Sequence, residues 1–230
     1  MSTATRYARL RQTLDETCKK CGRDPKEVKL LAVSKTVDLD QVELAMSAGA
    51  RCFGENRPDE LLRKQAAFPE CEWHFIGNIQ SRRIKDIVSA ATLIHSVCKR
   101  EHLHKIDQAA KEQGKIQPVL LEVNVSGEES KSGFTPDEVY DALCEAARYE
   151  NIEVKGLMTM APRADKDAIE YTFSGLEQLK AQLQAKLDED KQGVTLSEVS
   201  MGMTEDWPEA IPHGATIVRV GRAIFDDSFE

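Results

Sequence analysis

Short apolar runs recur along this chain, and nearly all are followed by a stretch with helical periodicity. Eight such runs stand at residues 28–33, 51–54, 72–76, 92–97, 118–123, 153–158, 195–200 and 216–220. The first, Val28-Lys29-Leu30-Leu31-Ala32-Val33, is apolar at five of its six positions and β-branched at both ends. Runs of this kind read as strands buried on both faces, as in a parallel sheet. Helical patterns follow at 39–48, 58–67, 81–89, 99–113, after Thr135, at 165–187 and at 207–210. Pro58 suits a first helical turn, and Thr135-Pro136-Asp137-Glu138 has the form of an N-cap, a first-turn proline and first-turn acids.

Eight strands within 230 residues, each but the last followed by at least a short helix, predict an α/β chain folded as a single (β/α)8 TIM barrel. An open doubly wound sheet is the alternative. Residues 4–21 carry Tyr7, Leu10 and Leu14 at helical spacing, which adds an extra N-terminal helix before the first strand. No Pro- or Ser-rich linker interrupts the pattern, so residues 1–230 read as one domain.

The composition narrows the function classes. A net charge of −8 argues against a broad nucleic-acid footprint. No apolar run is long enough to cross a bilayer, and the N-terminus enters a polar helix in place of an apolar signal core, so a cytoplasmic protein is expected. Of six cysteines only Cys18 and Cys21 are close, with no further pair at metal-ligand spacing, so they read as reduced thiols and no metal is expected.

Parallel α/β folds bind ligands at the C-terminal ends of their strands. Lys35 stands there after the first run, before the turn into the next helix. A lysine at that point is either a solvated charge or an amine whose pKa is lowered in a half-buried, positively charged site, ready to attack a carbonyl. The loops after strands seven and eight are the usual phosphate site of a barrel. Here they are Ser200-Met201-Gly202-Met203-Thr204-Glu205-Asp206 and Gly221-Arg222-Ala223-Ile224-Phe225, both with glycines and backbone N–H groups near helix starts. Arg219 lies within strand eight and needs a partner, whether an internal anion or a ligand. Asn56, His74 and Asn124 are further inward-facing polar candidates. The basic stretches at Arg82-Arg83 and Lys99-Arg100 read as solvated helix faces.

These motifs together resemble the pyridoxal phosphate homeostasis protein family, whose fold is like the N-terminal barrel of alanine racemase. The matching segments are Leu31-Ala32-Val33-Ser34-Lys35, Phe53-Gly54-Glu55-Asn56-Arg57, Trp73-His74-Phe75-Ile76-Gly77, Lys131-Ser132-Gly133-Phe134, Gly156-Leu157-Met158-Thr159-Met160-Ala161, Ser200-Met201-Gly202-Met203-Thr204 and Val218-Arg219-Val220-Gly221. They run in order through nearly the whole chain.

The resemblance implies that Lys35 holds pyridoxal phosphate as a Schiff base. It implies that Ser200, Gly202, Thr204, Gly221 and Arg222 hold the phosphate, that Arg219 faces the pyridine nitrogen, and that Asn56 and His74 line the ring pocket. Lys131 matches a family lysine on a loop. The chain departs from the family at Gln80-Ser81-Arg82-Arg83, where Gln-x-Asn-Lys is usual, and in its tail after Phe225, which lacks the usual glycine.

An arginine facing the ring donates a hydrogen bond without giving up its proton, which leaves the ring a weaker electron sink than an aspartate partner would. Racemisation needs a base on each face of the substrate carbon. Lys35 supplies one, whereas Tyr7, Tyr140, Tyr149 and Tyr171 lie in predicted helices. In alanine racemase the second base resembles a tyrosine brought by a second domain and a partner subunit, which a chain of this length is expected to lack. The reading is a protein that binds, buffers or hands over pyridoxal phosphate, without efficient catalysis, as a monomer with apo pyridoxal-phosphate enzymes as partners. A pyridoxal-phosphate enzyme acting on amino acids, such as a racemase, is the first alternative, and a barrel aldolase using Lys35 on a sugar phosphate the second.

Overall fold

The computed structural model describes residues 1–128, 131–163 and 165–229; the final residue of the tail singled out above lies outside them. Eight parallel strands close into a barrel, β1 (Lys29–Val33), β2 (Cys52–Glu55), β3 (Glu72–Phe75), β4 (Leu93–Val97), β5 (Gln117–Glu122), β6 (Ile152–Met158), β7 (Glu198–Met203) and β8 (Ile217–Val220). The helices are α1 (Thr3–Lys20), α2 (Leu39–Ser47), α3 (Pro58–Ala67), α4 (Ile84–Ala90), α5 (Arg100–Glu112), α6 (Pro136–Ala146), α7 (Lys166–Glu189), α8 (Trp207–Ala210) and α9 (Arg222–Phe225). Leu30 pairs with Val218 and Ala32 with Phe53, so β1 joins β8 on one side and β2 on the other. That closure decides for the (β/α)8 barrel over the open sheet.

The helix starts follow from local chemistry. Ser2 caps α1 by accepting from Thr5 N, and Asp38 caps α2 by accepting from Leu39 N. Thr135 and Glu138 form a reciprocal capping box at α6, with Pro136 in the first turn. The N-terminal helix α1 packs on α2 and α9, where Arg6 Nε donates to Ile224 O at 2.7 Å.

Because the strands are buried on both faces, the apolar side chains divide into two cores. Outward residues such as Phe53 and Trp73, stacked with centroids 5.2 Å apart, meet the helices. Leu31, Cys52, Leu93, Leu120, Met158 and Ile217 fill the barrel itself.

One strand departs from its expected position. β7 begins at Glu198 and not at Thr195, and it runs on to Met203. Leu196 N donates to Gln184 Oε1 of α7 and Ser197 N to Thr195 O, so these backbone donors go to a helix and to the segment itself, and it is the Ser197 hydroxyl that reaches β6, at Lys155 O. Among the described residues, no helix is long and apolar enough to cross a membrane.

Candidate functional site

The C-terminal ends of the strands enclose a cavity of about 340 Å³, within the range of small-molecule sites, roughly 300–1,000 Å³. Lys35, Asn56, Thr204, Arg219, Gly221 and Arg222 all line it. They come from the ends of β1, β2, β7 and β8, which the barrel closure makes neighbours. Val33, Ile76, Met160 and Met203 supply apolar wall. Gly77 allows the close crossing of two loops on one side, since a Cβ there would lie 2.1 Å from Asn56 O.

Lys35 sits in the turn closed by Val37 N donating to Ser34 O at 3.0 Å, and it is exposed, not half-buried. Arg219 is 5 % exposed, and its two terminal nitrogens are committed inward. Nη1 donates to Ser200 Oγ at 2.6 Å and Nη2 to Thr159 O at 2.9 Å. Those bonds use two of the five N–H donors of a guanidinium and leave others for a ligand. Burial lowers its pKa to about 10, against the attraction of Asp206 and Glu122, so it remains a cation at neutral pH. Burial also raises the pKa of both acids. The Asp206 carboxylate is already used locally, accepting from Met203 N.

At the other end of the cavity Gly221 N donates to Thr204 Oγ1 at 3.3 Å. A Cβ on Gly221 would lie 3.1 Å from Val33 O, which ties the start of α9 to the end of β1. Arg222 is exposed and pairs with Glu205 at 2.6 Å.

Three residues of the expected site lie outside the cavity lining. Ser200 points into the barrel, fully buried, and bonds Arg219 and His95. Gly202 is turned away by a bulge: Ser200 pairs with Ile217 and Met203 with Arg219, so β7 spends three residues against two of β8. The bulge holds Gly202 at φ +88° against α8, where a Cβ would come within 2.8 Å of Ala210 Cβ and Trp207 Cα. His74 lies deep in the barrel, with Nδ1 2.9 Å from His95 Nε2.

Asn124 organises its own loop, accepting from Ser126 Oγ and Gly127 N. Lys131 Nζ donates to Ala161 O at 3.4 Å, outside the cavity lining. Arg83 is paired with Asp59 and Asp86, as a solvated helix face would be.

The structure adds residues that sequence reasoning missed. Lys64 is fully buried and donates to Glu55 Oε1 at 2.7 Å and to Ser34 O at 2.8 Å. Ser34 Oγ donates to the same carboxylate oxygen at 2.6 Å. This cluster underlies the residue next to Lys35. Its signal was legible: Lys64 falls on the apolar stripe that Leu61 and Phe68 mark on α3. His95 gives no such signal, because in the fully buried run Leu93–Val97 the sequence does not say which residues face the axis.

The family model for the alanine racemase N-terminal domain matches residues 6–228. A pyridoxal phosphate homeostasis protein of Pseudomonas aeruginosa is 41% identical over 234 residues, 98% of this chain and 96% of that protein. One from Aquifex aeolicus is 34% identical over 230 residues, 99% of each. The solved structure of PipY from Synechococcus elongatus with PLP bound has a TM-score of 0.84 at 32% identity, covering 97% of this chain and 100% of that one. With a match across nearly its full length to the family model and to proteins of that name, the chain belongs to the alanine racemase N-terminal domain family and, within it, to the pyridoxal phosphate homeostasis proteins.

Proposed function

We propose that this chain acts as a single barrel domain that binds pyridoxal phosphate and maintains its supply inside the cell, holding the cofactor through Lys35 and releasing it to apo enzymes. The observation that carries the reading is the meeting of Lys35, Arg219, Thr204 and Arg222 around one cavity of about 340 Å³. The donor set fits the ligand. An amine suits an aldehyde, a buried cationic donor suits a pyridine nitrogen, and a hydroxyl with a second arginine suits a phosphate. PipY, 32% identical, was solved with PLP bound.

When bound, the cofactor supplies an aldehyde for the lysine and an electron sink in its ring. This chain's residues bind and orient it. Lys35 supplies the amine, and exposure leaves it accessible to incoming ligand. Thr204, Gly221 and Arg222 hold the phosphate, and Asn56 borders the ring. Gly202 supports that end indirectly, by seating α8. Arg219 donates to the ring nitrogen while keeping its own proton, which weakens the sink and favours holding over turnover.

Racemisation would need a second base opposite Lys35. No tyrosine lines the cavity among the described residues. Tyr7 is buried, Tyr140 bonds Asp190, Tyr149 bonds Glu145 and Tyr171 is 65 % exposed elsewhere. That observation favours the carrier over the racemase. A monomer is the simplest form that leaves the cavity open to a recipient enzyme.

Borohydride reduction of the pyridoxal phosphate-loaded protein, followed by mass mapping of the peptides, tests the assignment. The reduced adduct is expected on Lys35 and absent from Lys35→Ala. An adduct on another lysine would overturn it. A protein that stays colourless with added pyridoxal phosphate would overturn the function itself and favour the aldolase.

A further inference from the structure

A line of polar side chains runs inside the barrel from the cavity to the opposite mouth. Arg219 Nη1 donates to Ser200 Oγ at 2.6 Å. Ser200 Oγ lies 2.9 Å from His95 Nδ1, and His95 Nε2 lies 2.9 Å from His74 Nδ1. His74 Nε2 is 3.5 Å from Glu72 Oε2 and 3.5 Å from Cys52 Sγ. Glu72 in turn accepts from Lys29 Nζ at 2.6 Å. Ser200 and His95 are fully buried and His74 is 1 % exposed.

The order of protons along this line follows from the donor inventory. A guanidinium has no acceptor, so Arg219 must donate to Ser200. Ser200 Oγ keeps a second lone pair after accepting from Arg219, and the far end of the line decides its use. The Glu72 carboxylate can only accept from His74 Nε2, so in neutral rings each Nε2 donates, each Nδ1 accepts, and the serine proton goes to His95 Nδ1. A neutral imidazole with an accepting Nδ1 carries its proton on Nε2, which donates to His74 Nδ1. The same logic leaves His74 with an Nε2–H aimed at Glu72 and Cys52. Doubly protonated rings are opposed by burial, which lowers both histidine pKa values and at His74 outweighs the pull of Glu72 and Glu198, and by Lys29 on the mouth side, with Arg219 also acting on His95. Each donor points away from the cavity, so the bonds polarise one another in one direction, from the arginine cation to the glutamate anion.

We propose that Ser200, His95 and His74 form a one-way hydrogen-bonded relay that locks the plane of the Arg219 guanidinium, making both histidines positioning residues for the group that faces the ligand. Neither touches the cavity. The relay holds in the unliganded protein, and only its effect on the cofactor rests on the reading that Arg219 faces a pyridine ring.

The mouth of the barrel sharpens the assignment. Cys52, Glu72 and His74 place donor atoms within 4.8 Å of one another, a spacing a divalent cation could bridge. In the assigned order His74 Nε2 bears hydrogen and offers no lone pair, and Glu72 is engaged by Lys29. A cation bound there would have to reverse every proton up to Ser200.

The experiment is nitrogen-15 NMR of histidine- and arginine-labelled full-length protein without cofactor, at neutral pH. Both His74 and His95 are expected as neutral Nε2–H tautomers. A neutral Nδ1–H tautomer or an imidazolium at either position overturns the proposal, as does stoichiometric binding of added Zn2+ that Cys52→Ser abolishes. His95→Leu should speed rotation of the Arg219 guanidinium by about threefold or more, the scale of the neutral Ser200–His95 hydrogen bond it removes. His95→Asn, which restores an acceptor for Ser200, should slow it again. Unchanged rotation in His95→Leu overturns the relay. If that variant does not fold, Ser200→Ala carries the same expectation. With pyridoxal phosphate added, His95→Leu should shift the absorbance band while affinity stays within about threefold. A wild-type protein that stays colourless would refute the cofactor reading and leave the NMR result standing.

Discussion

Lys64 and Arg219 are both buried cations, yet their surroundings differ. Lys64 sits between the barrel wall and α3, bonded to the Glu55 carboxylate and Ser34 O. Arg219 sits inside the barrel, bonded to a hydroxyl and a carbonyl, with its acidic neighbours Asp206 and Glu122 not in hydrogen-bond contact. The first arrangement is a compensated ion pair that fixes the end of β1 beneath Lys35. The second keeps a positive charge available to whatever enters the cavity. One buried cation is spent on architecture and the other lines the cavity.

The largest expected effect breaks the first arrangement. Lys64→Met strands a buried carboxylate whose Oε2 already lacks a partner. It should destabilise the protein by about 3–5 kcal/mol, measured by urea unfolding. The double variant Glu55→Leu/Lys64→Met should recover most of that loss. If the single variant unfolds like wild type, the pair does not hold the strand end.

Arg219→Met should cost less, about 1–2 kcal/mol, because it removes hydrogen bonds without unmasking a directly paired charge. Its larger effect should be on the absorbance of bound pyridoxal phosphate. A weakened phosphate affinity with an unchanged spectrum would make Arg219 merely structural.

The pH response distinguishes the two regions further. His95 is held neutral well below the ordinary value of about 6.5, chiefly by burial and then by His74, Arg219 and Lys29. A histidine with a depressed folded pKa lends its full stability above about pH 6.5 and loses it as pH falls, because the unfolded chain takes the proton first. Stability should therefore fall more steeply between pH 6.5 and 5 in wild type than in His95→Asn, by up to about 1.4 kcal/mol per pH unit. Parallel curves would place the acid sensitivity elsewhere.

The smallest effect belongs to the cavity rim. Arg222 and Glu205 are each about half exposed, so Glu205→Ala should change stability by no more than about 0.5 kcal/mol. Freeing Arg222 should instead tighten phosphate binding slightly, readable by calorimetry with inorganic phosphate.

Much of this was legible in the residues. Eight apolar runs with helical intervals specify the barrel because both signals are local. Lys35, Asn56, Thr204, Arg219, Gly221 and Arg222 were legible as a group because strand ends become neighbours once the barrel closes. What the residues did not show depended on nonlocal packing. Thr195–Ser197 has strand-like composition, but its backbone N–H groups at 196 and 197 are bonded to Gln184 and within the segment. Gly202 and Ser200 left the expected cavity because a bulge against α8 decides which way they face, and simple alternation cannot report that.

That bulge gives β7 two reading frames. Up to Ser200 the strand is read by the barrel interior, where Ser200 bonds His95. After Gly202 the frame shifts by one, and Met203 and Thr204 are read by the cavity. Changes in the loop beyond Met203 can therefore retune what the cavity recognises without rewriting the interior. Deleting one residue at the shift would scramble both messages at once.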